Sequence, residues 1–147
     1  GTQAVVLAEA LALALEKSFA AEPEQGKRLS ELREFFEREV KGRIDGVRVN
    51  GGDLPRAPGV SNLNFEGADG EALLIALDLE GIHVSSGAAC ASGSLRPSHV
   101  LTALGLTPAQ AQASLRFSFG RSTEKGELEK VIEALERHVP RCRAPGR

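Results

Sequence analysis

A single cysteine stands in a run of tiny side chains, Ser85-Ser86-Gly87-Ala88-Ala89-Cys90-Ala91-Ser92-Gly93-Ser94. Glycine and serine hydrogen-bond locally and leave the backbone free rather than building a core, so such a segment displays its thiol. Structural cysteines sit among Leu, Ile, Val and Phe and are inert, whereas reactive ones lie partly exposed near positive charge or a helix N-terminus. Arg96 follows Cys90 closely, and Pro97 opens a helix expected over Pro97 to Leu104. The chemistry open to this thiol is nucleophilic attack, and the alternative is a buried turn cysteine.

Arg116 is the second group that could act. Ser114 to Phe119 alternates strictly, with Leu115, Phe117 and Phe119 on one face and Ser114, Arg116 and Ser118 on the other. A guanidinium flanked only by serines suits bidentate capture of a substrate carboxylate. The simpler alternative is a surface arginine on the outer face of an edge strand. Arg121, in a turn before a helix, is less specific. His83, Cys90, His99, His138 and Cys142 have no CxxC or paired-His spacing, so no resident metal site is expected. His99 is either a base for Cys90 or a solvated first-turn residue. Neither Gly51-Gly52 nor Gly67 to Gly70 has the spacing or context of a phosphate cradle. Cys142, in a Pro/Arg-rich tail, reads as a solvated thiol.

These groups need a scaffold, and the remaining sequence supplies one. Leu7, Leu11 and Leu15 recur every four residues among alanines, which suits a closely packed helix. That helix begins almost at Gly1 with nothing to cap it, so Gly1 is not expected to be the natural beginning of the gene product. A second helix carries Leu29, Leu32, Phe35, Phe36 and Val40 on one face and Glu31, Arg33, Glu34, Glu37, Arg38 and Lys41 on a solvated one, ending at Gly42. Strands are expected at Val47 to Val49, Val60 to Phe65 and Ile82 to Val84. Asp69 caps a helix that Gly81 stops, Thr107-Pro108-Ala109-Gln110 starts another, and a last helix spans about Glu124 to Val139. The pattern predicts an α+β domain, a small, mainly antiparallel sheet with helices on one face.

Composition narrows the function. The 147 residues fit one domain, 1–147, containing the cysteine loop 85–96, and 41% hydrophobic content is enough for a core. A net charge of −2 with mixed signs, and six Phe without Trp or Tyr, argue against nucleic acid and anionic membranes as partners. Two cysteines make no disulfide framework, which points to a reducing, cytoplasmic compartment. Glu9 and Glu16 interrupt the one stretch resembling the apolar part of a signal peptide.

Val84-Ser85-Ser86-Gly87-Ala88-Ala89-Cys90, Arg96-Pro97-Ser98-His99-Val100-Leu101 and Leu115-Arg116-Phe117-Ser118-Phe119-Gly120-Arg121 together resemble the C-terminal part of the cysteine desulfurases. Gly1-Thr2 resembles the end of that family's Arg-x-Gly-Thr segment. Asn62 to Phe65 and Gly70-Glu71-Ala72-Leu73 resemble the strand and helix before its cysteine loop. The long Ser/Gly/Ala loop is similar to the branch serving iron–sulfur cluster assembly.

The resemblance implies a pyridoxal-phosphate enzyme of the aspartate-aminotransferase fold that converts L-cysteine to L-alanine and leaves the sulfur as a persulfide. It makes Cys90 the nucleophile and, transiently, an iron–sulfur ligand. Arg116 becomes the carboxylate anchor, and Thr2 a contact to the cofactor phosphate of the neighbouring subunit in a homodimer. It implies delivery of sulfur to an acceptor or scaffold protein. Lys17, Lys27, Lys41, Lys125 and Lys130 lie on charged helix faces or in turns, none in a motif resembling that of the Schiff-base lysine. The large cofactor-binding domain is therefore expected before Gly1, and the chain alone is expected to be inactive. Two other functions compete: a free-standing persulfide carrier, for which Arg116 is dispensable, and a structural or dimerisation module, for which Cys90 is.

Overall fold

The computed structural model describes residues 3–86 and 98–143. A single helix, α1 (Val5–Arg43, 39 residues), replaces the two expected helices and carries Pro23 inside it. A mid-helix proline removes one hydrogen bond and crowds the carbonyl four residues back. Here Pro23 and both its neighbours are exposed, and Phe19 is 74% exposed, so water reaches the carbonyl that loses its partner. Gly42 does not end the helix either. The Ile44 N–H still donates to the Val40 carbonyl at 3.0 Å, and the chain turns at Gly46, whose φ of 68° favours glycine.

Four strands follow: β1 (Val47–Val49), β2 (Val60–Phe65), β3 (Ser85–Ser86) and β4 (Ser114–Ser118). They form one antiparallel sheet in the order β1-β2-β4-β3. β4 is thus interior, and Arg116 does not lie on an edge strand. The expected strand at Ile82 to Val84 is absent. Ile82 and Val84 pack their side chains against the core, while laddering to β4 begins only at Ser85 and Ser86.

Asp69 caps α2 (Gly70–Leu79), its carboxylate accepting from the Glu71 and Ala72 N–H groups at 3.0 and 3.1 Å. Past its end, Gly81 takes φ 76°. α3 is shorter than expected, His99–Ala103 with Ser98 at its N-cap, and α4 is Pro108–Gln112. The α4 capping box is complete: Thr107 Oγ1 accepts from Gln110 N–H at 3.3 Å and Gln110 Oε1 from Thr107 N–H at 2.9 Å. α5 (Lys125–Cys142) passes the expected stop at Val139 and continues through exposed Pro140.

The core lies between the sheet and helices α1, α2 and α5. Phe36 and Val40 of α1, Leu73 and Leu77 of α2, and Ile132, Leu135 and Val139 of α5 are fully buried against Leu63 and Phe65 of β2 and Leu115 of β4. Phe117 lies 4.9 Å from Phe36 and 6.5 Å from Phe65, ring centre to ring centre. The architecture is the expected small α+β domain with an antiparallel sheet. Not all the charges of α1 are solvated. Glu37 is buried, taking Arg56 Nη1 and Nη2 at 2.6 and 3.1 Å and the Ser61 hydroxyl at 2.8 Å. Arg33 is also largely covered, and its Nη1 donates to the Ala57 carbonyl at 3.0 Å.

Candidate functional site

Because side chains of paired residues share a face, β2, β4 and β3 present Asn62, Arg116 and Ser85 in one row. This is the sheet face opposite Leu63, Leu115 and Phe117. Arg116 is exposed, and its Nη2 donates to Ser85 Oγ at 3.3 Å. Among the described residues it has no ion-pair partner. A cation on an interior strand, lacking a carboxylate and beside neutral polar groups, is ready to accept one from a ligand.

Beside the row lies a bonded polar layer. Asn50 Nδ2 donates to Asn62 Oδ1 at 2.6 Å and to Ser114 Oγ at 3.0 Å. The Ser114 hydroxyl and Asn64 Nδ2 both donate to the Gln110 carbonyl, each at 2.7 Å. Asn64 and Ser114 are buried, and these bonds tie the turn after β1 and helix α4 to the sheet. Local sequence does not mark Asn62 and Ser85 as the cross-strand partners of Arg116, nor Asn64 as part of the adjoining layer. The alternation Asn62-Leu63-Asn64 inside a strand was the available signal.

Cys90 and Thr2 fall outside the described residues, as do Arg96 and Pro97. His99 is exposed at the first position of α3. Arg121 is exposed, and its carbonyl accepts from Arg28 Nη1 at 3.2 Å. The other histidines are engaged away from the row: His83 Nδ1 with Asp78 at 2.9 Å, and His138 Nε2 with Glu80 at 2.6 Å. Among the described residues no His, Cys, Asp and Glu cluster could hold a metal ion. Cys142 is half-buried rather than solvated, and burial, then the nearby Asp69 charge, push its thiol up. An open groove of about 580 Å³ runs between α5 and the segment 80–84, lined by Ile82, Val84, Phe117, Phe119 and Val131; Arg116 does not line it.

The class-V aminotransferase family description matches residues 1–131. The chain belongs to that family. It is 40% identical over 143 residues to the cysteine desulfurase IscS of Dictyoglomus turgidum, covering 97% of this chain and 36% of that protein. It is 38% identical over 144 residues to the IscS-like cysteine desulfurase of Mycobacterium tuberculosis, covering 97% and 37%. Its fold superposes on a NifS-like protein from Rickettsia africae with TM-score 0.80 at 28% identity, over 93% of this chain and 35% of that one. A second NifS-like structure, at TM-score 0.76 and 23% identity, shares the fold.

The chain is therefore homologous to cysteine desulfurases and spans little more than a third of their length. Class-V aminotransferases are pyridoxal-phosphate-dependent. This chain's described residues do not fit that cofactor's attachment. All five lysines are exposed, on α1 and α5, and none borders Arg116. Among the described residues no helix is long and apolar enough to cross a membrane.

Proposed function

We propose that this chain is the C-terminal domain of a cysteine desulfurase, contributing the substrate-carboxylate anchor and the sulfur-accepting thiol. The observation that carries the reading is Arg116. It is exposed on an interior strand, without a counter-ion among the described residues, and hydrogen-bonded to Ser85, the first residue of the cysteine loop 85–96. Homology to desulfurases over 97% of the chain supports the substrate assignment.

In this reading Arg116 holds the carboxylate of L-cysteine through a charge-assisted fork. The Cys90 thiolate attacks the substrate sulfur, and a new S–S bond forms as the substrate C–S bond breaks. The C–S electron pair stays on carbon, which takes up a proton. Cysteine thus becomes alanine and Cys90 a persulfide, with no external oxidant or reductant. The persulfide passes to an acceptor thiol or scaffold protein by exchange, and Cys90 serves at most as a passing ligand to a nascent cluster.

The Schiff-base lysine and most cofactor contacts belong to a large domain preceding Gly1 in the complete protein. Thr2 would hold the cofactor phosphate of the neighbouring subunit in a homodimer, and the enzyme would work in the cytoplasm. The deciding experiment is the intact mass of the complete protein after anaerobic exposure to L-cysteine without reductant. Gain of a sulfur atom, lost in Cys90→Ala, is expected. Loading that survives Arg116→Ala unchanged when a donor protein supplies the sulfur, with none from L-cysteine in any form, would make the chain a persulfide carrier.

A further inference from the structure

The Arg116 side chain has one hydrogen-bond partner among the described residues, and it is not an acid. Ser85 Oγ accepts from Nη2 at 3.3 Å, reaching across from the strand paired with β4. A free arginine side chain samples many rotamers, and ordering it at the moment of binding costs affinity. A neutral acceptor that takes one N–H group fixes the plane of the guanidinium without neutralising its charge. A carboxylate in the same place would compete with the substrate. The Cα pairing of Ser85 with Arg116 sets the reach, and the hydroxyl takes one N–H of Nη2 while the other guanidinium N–H groups have no partner among the described residues.

We propose that Ser85 is a positioning residue for Arg116, orienting its fork toward the carboxylate of an α-amino acid substrate. The inference rests on the desulfurase reading and deepens it. Ser85 touches no reacting atom, so its loss weakens carboxylate binding and leaves the chemical step alone.

The test compares Ser85→Thr with Ser85→Val in the complete, cofactor-loaded protein. Both residues favour strands and differ by the hydroxyl, so the fold is held constant. Ser85→Val should raise KM for L-cysteine about fivefold, the loss expected for one hydrogen bond, with kcat within about twofold. The dissociation constant for L-alanine, which carries the carboxylate without the thiol, should rise by the same factor in calorimetry. Ser85→Thr should restore both, and Ser85→Val should add nothing in an Arg116→Ala background. Unchanged KM in Ser85→Val while Arg116→Ala raises it would overturn the proposal and leave the desulfurase reading intact. Full additivity with Arg116→Ala would overturn it too, assigning Ser85 to folding. An Arg116→Ala enzyme with normal KM and alanine affinity would overturn the carboxylate anchor itself, and Ser85 with it.

Discussion

Glu37 and Arg56 meet end to end, the two carboxylate oxygens accepting from Nη1 and Nη2 of the guanidinium at 2.6 and 3.1 Å, with Ser61 donating to the same carboxylate. The contact joins α1 to the Gly/Pro-rich turn before β2. The two side chains retain 11% and 19% exposure, so the pair sits near the limit of solvent reach. Removing one member strands the other, whereas exchanging both for apolar residues need not. Arg56→Ala should lower unfolding free energy by about 2–4 kcal/mol in urea titrations. Glu37→Leu with Arg56→Leu should recover part of it. A loss under about 0.5 kcal/mol in the single variant would reduce the pair to an ordinary surface bridge.

Glu80 gathers His138 and Arg137 at the end of α5, each at 2.6 Å. The His138 hydrogen bond, then that from Arg137, hold its carboxyl below the usual carboxylate range against the opposing pull of desolvation. In the interval between the folded and ordinary values the unfolded chain binds more protons, so this contribution to stability rises with pH. It is complete above the ordinary carboxylate value and lost as pH falls through the depressed one. The stability difference between the parent and Glu80→Gln, from denaturation curves at a series of pH values, should close as pH falls through the depressed carboxyl value. A gap of constant size down to the lowest pH at which the chain folds would contradict the assignment.

The Cys142 thiol should be slow to alkylate. Burial and Asp69 raise its pKa, leaving less thiolate at neutral pH. Peptide mapping after brief iodoacetamide treatment should find native Cys142 modified at least about tenfold more slowly than in urea. Asp69→Asn should speed the native reaction, because asparagine still caps α2 and removes only the charge. Equal rates in the native parent and this variant would leave burial as the whole cause.

Two glycine-to-alanine changes should have opposite signs. A Cβ on Gly70 would run into the backbone carbonyl of Gln112, so α4 could not close over α2 without moving. Gly70→Ala should cost about 1–3 kcal/mol. Around Gly42, inside α1, a Cβ meets nothing within 4 Å, and Gly42→Ala should stabilise by about 0.5–1 kcal/mol. Thermal midpoints moving in the same direction would refute either the clash at Gly70 or the open space at Gly42.

Local chemistry made much of this fold readable. Asp69, the Thr107–Gln110 box and the alternation of Ser114 to Phe119 signal their elements within a few residues, and each stands where expected. α1 failed the same logic, because Glu22-Pro23-Glu24-Gln25-Gly26 reads as a break in any short window. The helix survives because the flaw faces water and the flanking turns carry it. Glu37 failed for the opposite reason. Its partners, Arg56 and Ser61, lie 19 and 24 residues away, beyond any helical period. Arg116 was singled out by its strand, but its acceptor comes from β3, whose pairing no periodicity announces.

Every residue from Gln3 to Ala20 is exposed, including Leu7, Leu11, Leu15 and Phe19, yet these residues belong to the same helix as buried Phe36 and Val40. A continuous helix advances about 1.5 Å and turns about 100° per residue. The stretch from Val5 to Pro23 therefore projects on the order of 30 Å as a rod whose compass bearing is locked to the sheet. Its leucines work like the teeth of a key cut at a fixed angle to the shank. One residue inserted ahead of Pro23 would swing that edge by more than a quarter turn while leaving Arg116 and the core untouched. Seven residues would nearly restore the bearing and lengthen the shank by about 10 Å.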